Sequence, residues 1–325
     1  VSVTRDRLLL IILLLTSLLF FYQAHFTSNL SISLEPINLC QGQDAENCPR
    51  PLREFPSKYR SAHPTYPITS CVIEKSMSTF LAAIMCYLHD TRAFRAANKS
   101  LNTEMYHGRF CEGKNEFESF ASATKQKGTH LLTVVRDPLE RFISGYVDKC
   151  IKETQNKLGG KHCYGCGRGD IMCFLSEQYR RVLLYSVGGI KAGQRSYYDQ
   201  HFFPQNWYCG FSKALSNYTV IRYGGEGEDQ QKMTEEITET LTKWKVDSEH
   251  VTHIRSSLLS SRTEHSTVGS PDKAKFLRIA RHSEYIMSVI TRMFYHDYIL
   301  FGFPFPKIPH PTGPPPRFME EASLH

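Results

Sequence analysis

The sequence predicts an α/β fold in which helices flank a central parallel sheet. The prediction depends on two stretches, each with the pattern of a short buried strand, a tight turn and a helix. The first covers residues 68–88, ITSCVIEKSMSTFLAAIMCYL, and the second covers residues 131–146, LLTVVRDPLERFISGY. A chain of 325 residues, 41% of them hydrophobic, is long enough for one large domain of this class with attached segments.

The N-terminal part of the chain has the pattern of a membrane anchor. Residues 8–24 are predicted to be a signal anchor, because the run from Leu8 to Tyr22 is nearly all apolar. Arg5 and Arg7 precede this run. The positive-inside rule therefore predicts a cytosolic tail at residues 1–7 and places the rest of the chain in a lumen.

Other features of the sequence agree with a luminal protein, although a signal peptide cleaved near Ala24 is an alternative to the anchor. Residues 25–60 are polar and aperiodic, which predicts a stem, and the proline-rich residues 304–325 predict an extended tail. Three N-glycosylation sequons agree with luminal exposure, at Asn29, Asn98 and Asn217.

The 10 cysteines indicate an oxidising compartment, where disulfides persist. Four of them follow the second stretch and are predicted to form disulfides rather than a zinc site: Cys150, Cys163, Cys166 and Cys173. Cys40 and Cys48 can close a small loop in the stem. Cys71 and Cys86 lie in apolar surroundings and are predicted to be buried thiols or to form a local bridge.

The first stretch has the local pattern of a phosphate-binding loop. Its apolar run breaks at Glu74-Lys75-Ser76, and either Ser76 or Ser78 can cap the helix that follows. The stretch is not a Walker motif, because it lacks the glycines that let the backbone surround a triphosphate. It therefore favours an anionic ligand with fewer phosphates and no metal ion.

The second stretch places an arginine where a strand ends and a helix begins. Asp137 is predicted as the N-cap and Pro138 as the first helical residue. Arg136 then ends the strand, and Ser144 lies two helical turns further on. Since anions bind at this edge of α/β sheets, Arg136 and Ser144 can hold a phosphate. The alternative is that Arg136 pairs with Asp137 or Glu140 on the surface.

The remaining elements are predicted from periodicity and turn residues. Helices are expected at residues 180–187 and 235–244, and a strand at 218–223. Residues 246–275, rich in Ser, Thr and His, are expected to be a long loop, and residues 274–295 carry the longest helical pattern. The net charge of +7 suits an anionic ligand, but it is too small to indicate nucleic acid.

The segments EKSMST and RDPLERFISGY together resemble the two nucleotide-binding segments of the Golgi carbohydrate sulfotransferases, the membrane-bound group that includes the chondroitin sulfotransferases. Two further segments resemble the same family, HFFPQNWYC at 201–209 and YHDYILFGF at 295–303. Glu74 stands where the family has proline. The resemblance implies a P-loop-like sulfotransferase fold over residues 61–303. It also implies that a late loop closes over the nucleotide, for which residues 246–275 are the candidate.

The resemblance further implies a donor and the residues that bind it. The donor is 3'-phosphoadenosine 5'-phosphosulfate (PAPS), used without a metal ion, and the acceptor is a hydroxyl group of a glycan. The 5' side of the donor is expected to contact Lys75, Ser76, Ser78 and Thr79. The 3'-phosphate is expected to contact Arg136 and Ser144. The other residues expected at the donor site belong to the same two segments: Glu74, Met77, Asp137 and Arg141.

Sulfuryl transfer by this family requires charge stabilisation and a general base. Lys75 is the candidate for the bridging oxygen, whose charge grows in the transition state. His201 is the candidate base, in a loop where Asp199 can orient its ring, with Glu74 and His265 as reserves. The resemblance implies a single-pass type II protein of the Golgi membrane with a luminal catalytic domain. The alternatives are a non-catalytic, disulfide-rich luminal binding protein and a nucleotide kinase-like phosphotransferase.

Overall fold

A computed structural model describes residues 39–105, 108–154, 161–260 and 269–309. Its five strands are β1 (Lys58–Ser61), β2 (Ile68–Val72), β3 (Glu116–Phe117), β4 (His130–Val135) and β5 (Tyr218–Arg222). They form one sheet in the order β3-β1-β2-β4-β5. The predicted α/β class is confirmed.

The sheet is mixed rather than parallel throughout, which corrects part of the prediction. Strands β2, β4 and β5 are parallel, whereas β1 is antiparallel to both β2 and β3. The cause is the short connection at residues 62–67, because a turn of this length can join only antiparallel neighbours. The parallel pairs are separated in sequence by longer segments that contain helices.

Twelve α-helices lie in the described part of the chain. In chain order they are α1 (Ser78–His89), α2 (Thr91–Ala96), α3 (Phe120–Ala123), α4 (Pro138–Tyr146), α5 (Ile171–Ser186), α6 (Asp199–Phe202), α7 (Phe211–Ala214), α8 (Gly227–Lys243), α9 (Ser248–Ser260), α10 (Pro271–Arg281), α11 (Glu284–Met293) and α12 (Tyr295–Phe301). A π-helix at Val147–Lys152 continues directly from α4.

The core has one layer on each face of the sheet. Along β4, Leu131 and Val135 belong to a cluster with α4, α5 and α11, whereas Leu132 and Val134 belong to a cluster with α1, α8 and α9. This alternation follows from the two-residue period of side chains in a strand. Because both faces are covered, β4 is apolar along most of its length, as the sequence indicated.

Two of the predicted elements are wrong. Within the described residues, the loop expected at 246–275 contains α9 and α10 instead, while residues 261–268 and His265 lie outside them. The helix α9 was missed because Ile254 and Leu258, which bury one narrow face, are surrounded in sequence by Ser, Thr and His. The helical pattern at 274–295 is divided near Ser283, whose hydroxyl accepts a hydrogen bond from the Ile286 amide and caps α11.

The ends of the chain lie partly outside the described residues. The expected anchor at 8–24 and most of the expected tail, from residue 310 onward, are not among them. Within the described ranges, none of the helices has the length and apolar character needed to span a bilayer. The end of the expected stem packs on the domain, because Phe55 is buried and its amide donates to the Trp207 carbonyl at 2.9 Å.

Five disulfides join the ten cysteines. Three of them agree with the sequence prediction: Cys40–Cys48, Cys150–Cys163 and Cys166–Cys173. The prediction for Cys71 and Cys86 is wrong, because each bonds to a distant cysteine, in Cys71–Cys209 and Cys86–Cys111. These partners are brought close by the tertiary fold, which sequence spacing does not reveal.

Candidate active site

The two stretches that predicted the fold meet at one edge of the sheet. Strands β2 and β4 are parallel neighbours, with Cys71 paired to Thr133. Their carboxyl ends therefore lie side by side, and this edge is where α/β folds bind ligands. We call the residues that follow β2 the Lys75 loop (residues 73–77), and those that follow β4 the Arg136 segment (residues 136–144).

The Lys75 loop makes its turn without glycine. Lys75 and Met77 both have left-handed backbone conformations, with φ values of 67° and 61°. Such conformations cost free energy in residues with a side chain and persist only where their surroundings fix them. Helix α1 begins at Ser78, with Met77 at the N-cap and no side-chain cap. The prediction that Ser76 or Ser78 caps this helix is therefore wrong.

Bonds from other parts of the chain fix the path of the Lys75 loop. The Arg141 Nε donates to the Glu74 carbonyl at 2.9 Å, and the Arg136 Nη1 donates to the Lys75 carbonyl at 3.1 Å. The Ser76 hydroxyl donates to Oε1 of Gln205 at 3.0 Å. Three consecutive residues of the loop are thus held from outside it, and two of these bonds come from the Arg136 segment.

The Arg136 segment starts as the sequence predicted. The Asp137 carboxylate accepts a hydrogen bond from the Glu140 amide at 2.9 Å, and Pro138 is the first residue of α4. Arg136 lies one residue beyond β4, is 6% exposed, and stacks over the Tyr223 ring at 4.7 Å. Its Nη2 is 3.6 Å from Glu140, so the expected alternative pairing also exists, but in a buried setting. Burial lowers the pKa of Arg136.

The other predicted donor-site residues take different positions. Ser144 is buried on α4, whereas Ser78 and Thr79 are partly exposed in the first turn of α1. Arg141 bonds to backbone carbonyls at Glu74 and at Phe203, the latter at 2.8 Å, so it joins the Lys75 loop to the segment that follows α6. The Glu74 carboxylate pairs with Lys58 at 3.1 Å.

A cluster of charges at the site was missed by the sequence analysis. Asp148 lies on the π-helix and forms ion pairs with Lys75 and, at 3.0 Å, with Lys149. Lys149 also pairs with Glu153 at 2.5 Å. A signal was available, because Asp148 follows Ser144 by four residues and so continues the same helical face. Because π-helical turns are rare and often occur at functional sites, this one supports a functional role for the cluster.

Burial and neighbouring charges set the pKa values in this cluster. Burial lowers the pKa of Lys75, and the Asp148 carboxylate opposes that change. For Asp148, burial raises the pKa, but the charges of Lys75 and Lys149 outweigh it and hold the pKa below its usual range. Burial lowers the pKa of Lys149, yet Asp148 and Glu153 raise it above its ordinary value overall. An ionised Asp148 between two lysines is thus the favoured state.

His201 lies in α6 and not in a loop, and it is 7% exposed. Its Nδ1 is 3.0 Å from the Tyr197 carbonyl, so Nδ1 carries the proton and Nε2 has the free lone pair. Burial, together with the charges of Lys75 and Lys149, lowers the pKa of His201 well below 6.5. Asp199 does not orient the ring, because its carboxylate bonds to Arg181 at 2.8 and 2.6 Å. The ring is therefore a neutral imidazole near two lysines.

The described residues contain one group with the composition of a metal site, formed by Cys40, Asp44 and Cys48. Its two cysteines are joined in a disulfide, so their sulfurs are not available as thiolate ligands. This group lies in the expected stem and is separate from the Lys75 loop.

Comparison with known proteins identifies the family. The sequence profile of the Sulfotransferase family matches residues 61–304. This range contains the Lys75 loop, the Arg136 segment, α6 and the 295–303 segment. The chain belongs to the sulfotransferase family. No solved structure matches this sulfotransferase significantly.

Two relatives from Caenorhabditis elegans illustrate the similarity. One, an uncharacterized protein, is 32% identical over 272 residues, which cover 81% of this sulfotransferase and 74% of the relative. The other, carbohydrate sulfotransferase chst-1, is 32% identical over 258 residues, which cover 78% of this chain and 77% of the relative. Both matches extend over most of each protein.

Proposed function

We propose that this sulfotransferase transfers a sulfuryl group from PAPS to a hydroxyl group of a glycan. The observation that carries the proposal is the direct bonding between the Lys75 loop and the Arg136 segment at one edge of the sheet. The side chains of Lys75 and Arg136 are thereby held at a fixed spacing, which suits a donor with an anionic group at each end. The similarity to a carbohydrate sulfotransferase supports a glycan as the acceptor.

The Lys75 loop and the Arg136 segment bind different parts of the donor. Lys75, Ser76, Ser78 and Thr79 bind the 5' side, where the start of α1 adds the positive end of a helix dipole. Arg136 and Ser144 bind the 3'-phosphate. Charge-assisted hydrogen bonds of this kind are stronger than neutral ones, and a buried arginine such as Arg136 is well suited to a phosphate.

Lys75 stabilises the leaving group. During transfer, a new bond forms between sulfur and the acceptor oxygen while the bond from sulfur to the bridging phosphate oxygen breaks. That bridging oxygen gains negative charge, and a positioned ammonium group stabilises it most in the transition state. The product that leaves is adenosine 3',5'-bisphosphate.

His201 accepts the proton of the acceptor hydroxyl. Its Nε2 bears the free lone pair because Nδ1 donates to the Tyr197 carbonyl. The depressed pKa keeps the ring neutral, which is the state a general base requires before reaction. The charge of Asp148 partly offsets the burial and the lysine charges that oppose formation of the imidazolium.

The proposed place of action is the lumen of the Golgi apparatus. Residues 8–24 serve as the signal anchor and orient the protein as a single-pass type II membrane protein. The five disulfides support this proposal, because such bonds persist in the secretory pathway and are rare in the cytosol.

Transfer of radiolabelled sulfate from PAPS to a panel of glycosaminoglycans and N-glycans tests the proposed function. We expect label in at least one glycan, and about a 10²-fold lower kcat for Lys75→Ala, the typical loss when a transition-state charge donor is removed. Lys213→Ala is the control, because Lys213 is an exposed lysine paired with Glu54. A thermal-shift measurement tests the alternative. A melting temperature raised by ATP with Mg²⁺ but not by adenosine 3',5'-bisphosphate would instead indicate a phosphotransferase.

The role of His201 is tested by the pH dependence of kcat. Because its pKa is depressed, we expect the wild-type kcat to stay level as the pH falls to 6.5 and to decline only below that value. His201→Gln should lose this acidic limb and about 10²–10⁴-fold of kcat, while binding of adenosine 3',5'-bisphosphate is retained. The exposed His282→Gln serves as the control. A His201→Gln enzyme with wild-type kcat would exclude His201 as the base.

A further inference from the structure

Gln205 connects the two donor-binding elements through its side-chain amide. The residue is 0% exposed and lies just after α6, in the segment 201–209. Its Oε1 accepts hydrogen bonds from the Ser76 hydroxyl at 3.0 Å and from the Arg136 amide at 2.9 Å. Its Nε2 donates to the Arg136 carbonyl at 2.8 Å. One amide group therefore contacts both the Lys75 loop and the Arg136 segment.

The contacts with Arg136 resemble those of a neighbouring strand. Both the N–H and the C=O of Arg136 bond to the same planar group, as they would to an adjacent strand in a ladder. The amide thus continues the hydrogen bonding of β4 one residue beyond the end of the strand. The Oε1 also accepts the bond from Ser76, so the distance between the two elements depends on this side chain.

Gln205 is itself held firmly in place. The Asp297 carboxylate accepts hydrogen bonds from the backbone N–H of Gln205 at 2.7 Å and from the backbone N–H of Asn206 at 2.8 Å. Asp297 is 0% exposed and lies on α12. The Cys71–Cys209 disulfide joins the same segment to β2, directly before the Lys75 loop. The side chain of Gln205 is therefore fixed relative to the sheet before any ligand binds.

We infer that Gln205 is a positioning residue that sets the spacing between the group that holds the 5'-phosphosulfate and the group that holds the 3'-phosphate. The inference rests on the proposed function, and it adds a residue that need not touch the donor. Its consequence is specific. A ligand that carries both phosphates binds with higher affinity than a ligand with one, provided that both sites are at the right separation. A change at Gln205 should therefore reduce this gain in affinity.

Calorimetric titration with two nucleotides tests this role. The ligands are adenosine 3',5'-bisphosphate, which reaches both sites, and adenosine 5'-monophosphate, which reaches one. In Gln205→Met, which keeps the length of the side chain but loses its hydrogen bonds, we expect the ratio of the two affinities to fall about tenfold. Loss of folded protein lowers both signals equally and leaves this ratio unchanged, so a merely structural role would not alter it.

A matched control and a second variant make the test decisive. Gln178 is also a glutamine with 0% exposure, but its Oε1 accepts a bond from Tyr164, so Gln178→Met should keep the wild-type ratio. Gln205→Asn retains the amide on a shorter side chain, and we expect it to lower the ratio as well. It serves as the test if Gln205→Met does not fold.

The possible outcomes separate this inference from the proposed function. A wild-type ratio in Gln205→Met or Gln205→Asn would overturn the positioning role while leaving the donor site intact. An equal loss of ratio in Gln178→Met would also overturn it. A wild-type protein that binds neither nucleotide would refute the proposed donor, and the role of Gln205 with it.

Discussion

Asp148 bonds to two lysine side chains, Lys75 and Lys149, in a nearly buried position. A buried carboxylate in this setting has two effects. It compensates the lysine charges in the absence of a ligand, and it competes with an anionic ligand for Lys75. The ammonium group has three N–H donors, so Lys75 can bind an anionic ligand while it keeps Asp148, but the nearby carboxylate reduces the net gain in affinity.

Replacing Asp148 by Asn should destabilise the protein by about 3 kcal/mol at pH 7, because Lys75 loses its buried counter-ion and Lys149 keeps only Glu153. The native pKa of Asp148 is below its usual value, so its contribution is fully present above the unfolded pKa of about 3.9 and is lost progressively as the pH falls from that value through the lower native pKa. The difference between wild type and Asp148→Asn should therefore shrink in urea unfolding at pH 3.

The exposed Asp229 provides the matched control for this experiment. We expect Asp229→Asn to change the free energy of unfolding by about 0.5 kcal/mol or less at either pH. If the loss in Asp148→Asn were the same at pH 3 and at pH 7, the ion pairs would not be its source.

Single residues differ in how far the sequence could predict them. The Asp137-Pro138 start of α4 was predictable, because both parts of the signal are adjacent in the chain. The orientation of His201 by Asp199 was wrong, because Asp199 bonds to Arg181, eighteen residues away on α5. The contacts of Gln205 are not apparent from the sequence, since its partners, Ser76 and Arg136, are distant in the chain. Residues held by local bonds are predictable, and those held by tertiary bonds are not.

Helices α4 and α6 pack unusually closely, and a glycine makes this possible. A Cβ atom on Gly145 would lie 2.8 Å from Cε1 of Phe202, which is closer than such atoms approach in real proteins. Phe202 follows His201 directly on α6. The distance between the helix of the Arg136 segment and the candidate base is thus set partly by the absence of a side chain.

We expect Gly145→Ala to push α6 away from α4, with a loss of about 1–3 kcal/mol in the free energy of unfolding, as for other overpacked cores. The same displacement should move His201 and lower kcat more than it weakens nucleotide binding. Urea denaturation and steady-state kinetics measure the two effects. Gly193→Ala is the control, because no atom lies within 4 Å of the added Cβ. Wild-type stability in Gly145→Ala would show that the Phe202 ring can move to accommodate the Cβ atom without a displacement of α6.

Elements were predictable where their apolar pattern was wide. The strands β2 and β4 and the helices α1 and α4 each bury most of their residues, so their patterns were recognised from the sequence. Helix α9 buries only Ile254, Ser257 and Leu258, and such a narrow apolar face does not distinguish a helix from a loop in the sequence. Its helical state depends on packing against α8, which becomes apparent only when both helices are in place.

In the molecule as a whole, the Cys71–Cys209 disulfide connects positions separated by 138 residues. Removing both cysteines, as in Cys71→Ser with Cys209→Ser, should cost about 5 kcal/mol, because a closed loop of this length strongly restricts the unfolded chain. Removing Cys40–Cys48, with a separation of 8 residues, should cost about 2.5 kcal/mol. Guanidinium unfolding of the two double variants measures the difference. Equal losses would show that loop length does not determine the effect.

The mixed sheet was the feature of the whole fold that sequence patterns missed. The parallel centre was predicted from two strand–turn–helix patterns, and it is correct for β2, β4 and β5. The strand β1 lies at the end of the expected stem and has four residues, while β3 has two. Strands this short carry too little periodicity to be recognised alone, so their direction becomes known only from their pairing.

The bond from Arg141 to position 74 has a consequence for which residues this position can accept. The accepting atom is the carbonyl oxygen of Glu74, an atom that every amino acid supplies, including the proline that the sequence resemblance implies for this position. Exchange of one residue for the other leaves this bond available. Position 74 can therefore carry a carboxylate, and with it the ion pair to Lys58, without loss of the contact from Arg141.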